Sequence, residues 1–345
     1  MPRLSFGLAL DFGTRRASLD RVLDEYVPLL RLAERYGFSS VWAGENYPSR
    51  PGGFHLPSPL LVLGSLSRST TLRLGTGVTL GPAWQPLRLA YDVAVLDQLS
   101  GGRCILGIGA GDPRTWRRFG ADRERIGDFM DELVPALKAL WSGADGFRGQ
   151  TVQIEGGIAP LPVQRGGPPV WVGGAGTRAA RRAAAQGDGW YAATSYALSR
   201  IRLQVERYRR TLDTIGGPPR PGRVSVNRLA HLADSPGKVV SEGGPYLERV
   251  LEQYAAMGGL PSTEAAREAV APAFPPVDGT TPLLGSLGAS LCLLGSPETV
   301  AQQLDAYAAA GVTDIQLRVA PADMPSELIA RTITLVGEQV LPRFR

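Results

Sequence analysis

The chain has 345 residues, 43% of them hydrophobic, with a net charge of +5, enough for one large α/β domain or two ordinary ones. Lys138 and Lys238 are the only lysines among 37 basic residues, and the arginines alternate with Asp, Glu and Ala, which argues against a nucleic-acid-binding tail or stripe. Two histidines and two cysteines without ligand spacing argue against a metal centre, and no apolar run suits a signal peptide or a membrane span, so a cytoplasmic protein is expected.

Short β-branched runs bounded by Gly or polar residues alternate with longer amphipathic segments. In chain order the predicted strands are Leu4–Leu10, Ser40–Ala43, Leu72–Val78, Cys104–Ile108, Val170–Val172, Gly189–Ala192, Val224–Leu232 and Asp314–Val319. Helices are predicted at 19–36, 57–69, 86–99, 126–141, 177–186, 197–215, within 246–257, at 297–310 and at 326–344. Ser296-Pro297-Glu298 reads as a cap before a first-turn proline, and Gly37, Gly187 and Gly311 read as left-handed helix ends. Cys104 and Cys292, set among Leu and Ile, are expected to be buried free thiols.

Strict strand–helix alternation implies parallel strands joined by crossover helices. Eight such units fit a closed (β/α)8 TIM barrel, whereas a doubly wound sheet usually stops at five or six. One α/β domain over residues 1–345 is therefore expected. Residues 233–290 break the rhythm with repeated Gly and Pro, and are expected to be an insertion between strands seven and eight, near the active-site mouth.

In such barrels reactive groups lie just past the C-terminal strand ends. Those positions hold Glu45-Asn46-Tyr47, then Thr76-Gly77-Val78, then Gly109-Ala110-Gly111-Asp112, and finally Gly173-Gly174-Ala175-Gly176-Thr177, which opens into a helix with Arg178 in its first turn. The last is a candidate phosphate cradle, because bare N–H groups and the helix dipole favour an anion, although a glycine-rich turn also serves simple packing. Asp112 is either a proton donor with a carboxyl raised by desolvation, or a turn cap. His55 is either a loop general acid–base or an ordinary loop histidine. Ser100-Gly101-Gly102-Arg103 reads as a helix end whose arginine anchors the opposite end of the barrel. Glu45 and Asp112 could nominally form a glycosidase pair, but the mouth is poor in sugar-stacking aromatics.

Taken together and in order, these segments resemble the luciferase-like family of flavin- and deazaflavin-dependent oxidoreductases. The resemblance is carried by 32–42, by 75–111 including Leu96-Asp97-Gln98-Leu99-Ser100-Gly101-Gly102-Arg103, by 168–190 and by 295–321. It implies a cofactor ring across the barrel mouth and a cis peptide at Gly77–Val78 behind it. Glu45, His55 and Asp112 are the expected catalytic residues. The expected cofactor contacts are Asn46, Thr76, Gly77, Val78, Gly109, Gly173, Gly174, Ala175, Gly176 and Thr177. Where the family commonly has an acidic residue followed by His, this chain has Glu45-Asn46, so a histidine proton shuttle is missing. Asp112 matches the acidic residue of the family's deazaflavin dehydrogenases, which favours hydride transfer with coenzyme F-420; reduced FMN with oxygen is the alternative, and a non-catalytic flavin-binding barrel is a third. A homodimer acting on a small-molecule or peptide substrate is expected.

Overall fold

Short apolar runs form strands covered on both faces, and longer segments with an apolar period near 3.6 form helices. The computed structural model describes residues 3–13, 17–47, 55, 56, 58–216, 222–256, 260, 274, 275, 279, 284–321 and 323–345. Its strands are β1 (Ser5–Leu10), β2 (Ser40–Ala43), β3 (Arg73–Thr76), β4 (Thr79–Leu80), β5 (Cys104–Gly109) and β6 (Gly146–Arg148). They continue with β7 (Gln153–Glu155), β8 (Val170–Gly173), β9 (Gly189–Ala192), β10 (Arg223–Leu232), β11 (Cys292–Gly295) and β12 (Asp314–Ala320). The parallel strands follow the order of a closed (β/α)8 barrel. Strands β2, β5, β8 and β9 are buried along their whole length, as befits a parallel sheet covered on both faces.

Two compact units are distinguished: 1–41 with 192–206 and 224–345, and 42–191 with 207–223. In the first, β1 pairs in parallel with β12 from Ser5↔Asp314 to Ala9↔Arg318, and β10 pairs with β12 and β11. Helix Leu19–Tyr36 buries Val22, Tyr26, Leu29, Leu30 and Ala33, one stripe of its surface, and closes on Gly37 at φ 86°. Just past β1, Asp11 forms a buried pair with Arg318, whose Nε and Nη2 donate to the carboxylate at 2.8 and 2.7 Å. Arg318 Nη1 donates to the Tyr254 hydroxyl at 3.0 Å, and the Tyr26 hydroxyl donates to the Asp11 carbonyl at 2.8 Å. Tyr254 lies on helix Gly244–Ala256, whose Leu247, Val250 and Leu251 pack with Val239, Leu287 and Leu291. Strand β11 was not among the predicted strands. The last predicted helix is α-helical over Ser326–Leu335 and continues as a π turn at Val336–Val340 and a 3-10 turn at Leu341–Phe344.

The second unit carries β3, β4, β5, β8 and β9, with Leu74↔Cys104, Thr79↔Ile108, Leu106↔Val170 and Trp171↔Gly189 in register. Helices Pro86–Leu99 and Ile126–Trp141 have the predicted bounds. At the N-terminal strand ends, Gly101 and Gly102 turn with φ of 62° and 84° into Arg103. The Arg103 guanidinium donates to the carbonyls of Ser67, Thr70, Leu72 and Ser100, the anchoring role predicted for it. Gly187 differs from expectation. It is absent from the positive-φ glycines, and its reason is space: a Cβ there would lie 2.9 Å from the Ala183 carbonyl oxygen. The antiparallel β6–β7 hairpin and the short helix Pro113–Arg118 are additions that the sequence reading did not include.

Candidate functional site

The C-terminal ends of β3, β5 and β8 are shaped by glycines that let neighbouring groups approach. Trp42 stacks on Trp171 at 5.0 Å between ring centroids, and the Tyr191 ring lies 5.5 Å from Trp42. A Cβ on Gly75 would fall 2.4 Å from the Trp42 ring, and one on Gly77 would fall 2.5 Å from the Tyr191 hydroxyl. The Gly77–Val78 peptide is cis, as the family resemblance implied. Val78 then fills space left by three missing side chains: a Cβ would lie 3.4 Å from its methyls at Gly107, 3.0 Å at Gly109 and 3.3 Å at Gly173. The buried Thr76 hydroxyl donates to the Gly107 carbonyl at 2.7 Å. Thr76, Gly109 and Gly173 therefore support the bulge from below, while Gly77 and Val78 remain partly exposed.

Beyond β8 the chain bends through Gly174 at φ 143°, whose carbonyl accepts from Trp190 Nε1 at 3.0 Å, and enters helix Thr177–Ala185. Its N-cap is Gly176, with φ −92° and no capping side chain. A Cβ on Gly176 would meet nothing within 4 Å. The first N–H groups of a helix have no intrahelical acceptor, so an exposed, uncapped helix start beside open space suits an anion. Arg178 does not add to it: the guanidinium is bound to Asp128 and Asp131 at 2.5 and 2.6 Å, on the side of helix Ile126–Trp141.

Glu45, past β2, is buried and accepts from the Leu80 N–H at 2.6 Å, from Trp84 Nε1 at 3.1 Å and from the Tyr47 hydroxyl. Burial pushes its carboxyl up, and the bonds from Tyr47, Leu80 and Trp84 pull against that rise. Its partners lie immediately after the bulge, so the carboxylate fixes the path of 79–84. Sequence reasoning named Glu45 but missed the roles of Tyr47, only two residues further along, and of Trp84, which reaches Glu45 through a long-range contact that no spacing reveals. Replacing Glu45 by Ala leaves the buried Leu80 N–H without an acceptor, at about 1–3 kcal/mol, and the half-buried Trp84 Nε1–H without one at a smaller cost. A large drop in Tm is expected, with a smaller one for Glu45→Gln, which keeps one acceptor; equal Tm values for Glu45→Ala and the parent would show the carboxylate to be idle.

Asp112 departs from the predicted proton donor. Its Oδ1 accepts from the N–H groups of Arg114 and Thr115 at 2.8 and 3.2 Å, which caps helix Pro113–Arg118, and Arg114 Nη2 lies 3.0 Å from Oδ2. Partial burial raises the carboxyl, but the bonds from Arg114 and Thr115 outweigh it and hold it below the usual carboxylate value. That is the reverse of the expected direction, because no spacing marks Arg114 as folding back onto Asp112. Since Asn caps as well as Asp, Asp112→Asn is expected to keep turnover within about threefold, whereas Asp112→Ala costs about 1 kcal/mol of stability. A hundredfold loss of turnover per folded molecule in Asp112→Asn would restore the acid role.

Asn46 exchanges backbone hydrogen bonds with Leu56 at 3.2 and 3.0 Å. His55 is exposed, and 48–54 lie outside the described residues. Among the described residues no cluster of His, Cys, Asp and Glu could hold a metal, and no helix is long and apolar enough to cross a membrane. Cys104 and Cys292 are buried and free, as expected.

The family model for luciferase-like monooxygenases matches residues 5–314. The chain belongs to that family. The luciferase-like chain is 34% identical over 158 residues to the oxygenase component of the flavin-dependent trigonelline monooxygenase of Acinetobacter baylyi, covering 44% of this chain and 43% of that one. It therefore spans less than half the length of that relative. It is 27% identical over 347 residues to the 5,10-methylenetetrahydromethanopterin reductase of Archaeoglobus fulgidus, covering 94% and 96% of the two chains. Its fold superposes on monooxygenase RslO1 from Streptomyces bottropensis with a TM-score of 0.83 and 27% identity, over 99% of this chain and 100% of the other. Further luciferase-like relatives are FMNH2-dependent and F420-dependent oxidoreductases.

Proposed function

We propose that the chain is a reduced-flavin monooxygenase, with FMN at the C-terminal ends of β3, β5 and β8 and an insertion at 233–290 near that mouth. The observation that carries this over deazaflavin hydride transfer is the state of Asp112. The deazaflavin expectation rested on Asp112 as a proton donor, and an ionised carboxylate used as a helix cap suits that role poorly. Similarity to two monooxygenases supports the same reading.

The residues present fit the cofactor. Gly176, Thr177 and the helix they open would hold a phosphate dianion by backbone N–H groups in the open space beside Gly176. Gly77 and Val78 would back the ring, held in place from below by Thr76, Gly109 and Gly173 and from behind by Glu45 through Leu80. Asn46 would orient the ring edge by hydrogen bonding. When bound, reduced flavin supplies the two electrons with which one atom of O2 goes to the substrate and the other to water. The protein's part is to bind, orient and exclude water.

The full-length alignment with a methylenetetrahydromethanopterin reductase favours a second reading, hydride transfer with coenzyme F-420. Anaerobic titrations with reduced FMN and with reduced F-420, followed by oxygen-electrode assays on a panel of small organic substrates, separate the two. Tighter FMN binding with substrate-dependent oxygen uptake is expected. Tighter F-420 binding without oxygen uptake selects the second reading.

A further inference from the structure

Helix Pro59–Leu66 is apolar almost all round. It buries Leu60, Val62, Leu63 and Leu66, its only polar side chain is Ser65, and Leu61 is 76% exposed. A helix that lacks a polar face is ordinarily covered on every side. Beside it runs a groove of about 500 Å³ against helix Pro86–Leu99, where Val95 and Leu99 are 41% and 49% exposed. Gly64 lines the same groove, and a Cβ there would meet nothing within 4 Å, so another backbone can come close. Single exposed aliphatic residues are ordinary, but three that line one concavity mark a contact surface.

The charges on the groove say what fits it. Arg88 and Asp92, one turn apart on helix Pro86–Leu99, pair at 2.8 Å and supply one charge of each sign. The face is therefore neutral overall, an apolar surface with balanced charges, which is the pattern of a surface that can meet itself. A strongly acidic or basic partner would find no excess of the opposite charge here. Trp84 forms another part of the wall. Its Nε1 donates to Glu45 at 3.1 Å, the carboxylate that also holds the Leu80 N–H behind the bulge.

We infer that this groove takes a second copy of the chain, and that assembly strengthens the cofactor site through Trp84. Leucines and valines of the two copies cover one another, and the two sets of opposite charges neutralise each other across the contact. Covering Trp84 removes water from beside its bond to Glu45, and a hydrogen bond is stronger in less polar surroundings. The coupling rests on the reading that the bulge backs a flavin; the contact between copies does not.

Light scattering after size exclusion gives the mass of the parent, of Arg88→Asp and of Asp92→Arg, with Tm as the check on folding. The parent is expected to be a dimer. Arg88→Asp leaves the groove only acidic and Asp92→Arg leaves it only basic, so each variant repels its own copy and runs as a monomer, whereas an equimolar mixture of the two returns to the dimer. Loss of the pair within one helix could not be repaired by mixing two chains. A monomeric parent, variants that remain dimers, or a mixture that remains monomeric overturns the interface. Anaerobic titration with reduced FMN on the same samples reads the coupling. Affinity is expected to fall by roughly threefold or more in each monomeric variant, the scale of one net hydrogen bond, and to return in the mixture. Equal affinity in monomer and dimer overturns the coupling. Absence of FMN binding in the parent overturns the flavin reading and the coupling with it, while the masses still decide the interface.

Discussion

Gly176→Asp is expected to raise the stability of the protein slightly while weakening flavin binding by roughly a hundredfold or more. The two effects have opposite signs for one physical reason. Gly176 is an N-cap with ordinary extended dihedrals, and a Cβ there touches nothing, so aspartate fits without strain. As a cap, aspartate supplies the acceptor that glycine lacks, worth a few tenths of a kcal/mol. That carboxylate occupies the N–H groups a phosphate would use and sets a like charge beside it, at a cost of several kcal/mol, where about 1.4 kcal/mol is a factor of ten. Calorimetric affinity and Tm, measured on the same samples, check both halves. Unchanged affinity in a folded variant would place the phosphate elsewhere.

The largest effect on stability is expected from Asp11→Ala. Both side chains of the Asp11–Arg318 pair are only 4% exposed, so removal of the carboxylate leaves a buried guanidinium whose main acceptor is gone. Breaking a buried pair from one side costs about 3–5 kcal/mol, whereas replacing both partners by apolar groups is often nearly neutral. Urea denaturation should therefore show a large loss of stability in Asp11→Ala and a substantial recovery in Asp11→Leu with Arg318→Met. Equal losses in the single and double variants would mean that packing at the site, rather than the unpaired charge, sets the cost.

The barrel was legible because burial imposes a pattern on every strand. The runs at 40–43 and 189–192 have the predicted bounds, and 104–109 and 170–173 differ by one residue at one end. The β6–β7 hairpin was not legible, since strands of three residues with only Ile154 fully buried carry too little periodicity. Helix Pro113–Arg118 has a readable signal, Asp before Pro at the first helical position, and the cap it supplies is the turn-cap alternative expected for Asp112. In the site, the family resemblance pointed to the cis peptide at Gly77–Val78 and a glycine run to the candidate cradle, but the purposes of the glycines divide only in three dimensions. Gly109 and Gly173 make room for Val78, whereas Gly176 faces open space. The binding of Glu45 to Leu80 and Trp84 and the capture of Arg178 by Asp128 and Asp131 are tertiary contacts, for which a single sequence has no marker.

The pairing of β1 with β12 also bears on how the protein is made. Ser5 leaves the ribosome about 300 residues before its partner Asp314. At roughly 5–20 residues per second, β1 spends about 15–60 s without that neighbour, its apolar Phe6, Leu8 and Leu10 synthesised and one hydrogen-bonding edge unfilled. The N-terminal strand is thus the segment most in need of protection during synthesis. Leu4 and Phe344 are joined by a backbone hydrogen bond of 3.1 Å, so a short linker could connect these two residues. A circular permutant made that way would translate β12 and β1 within a few seconds of each other, by the same rate of about 5–20 residues per second. Its soluble yield in chaperone-poor cells should then exceed that of the natural order.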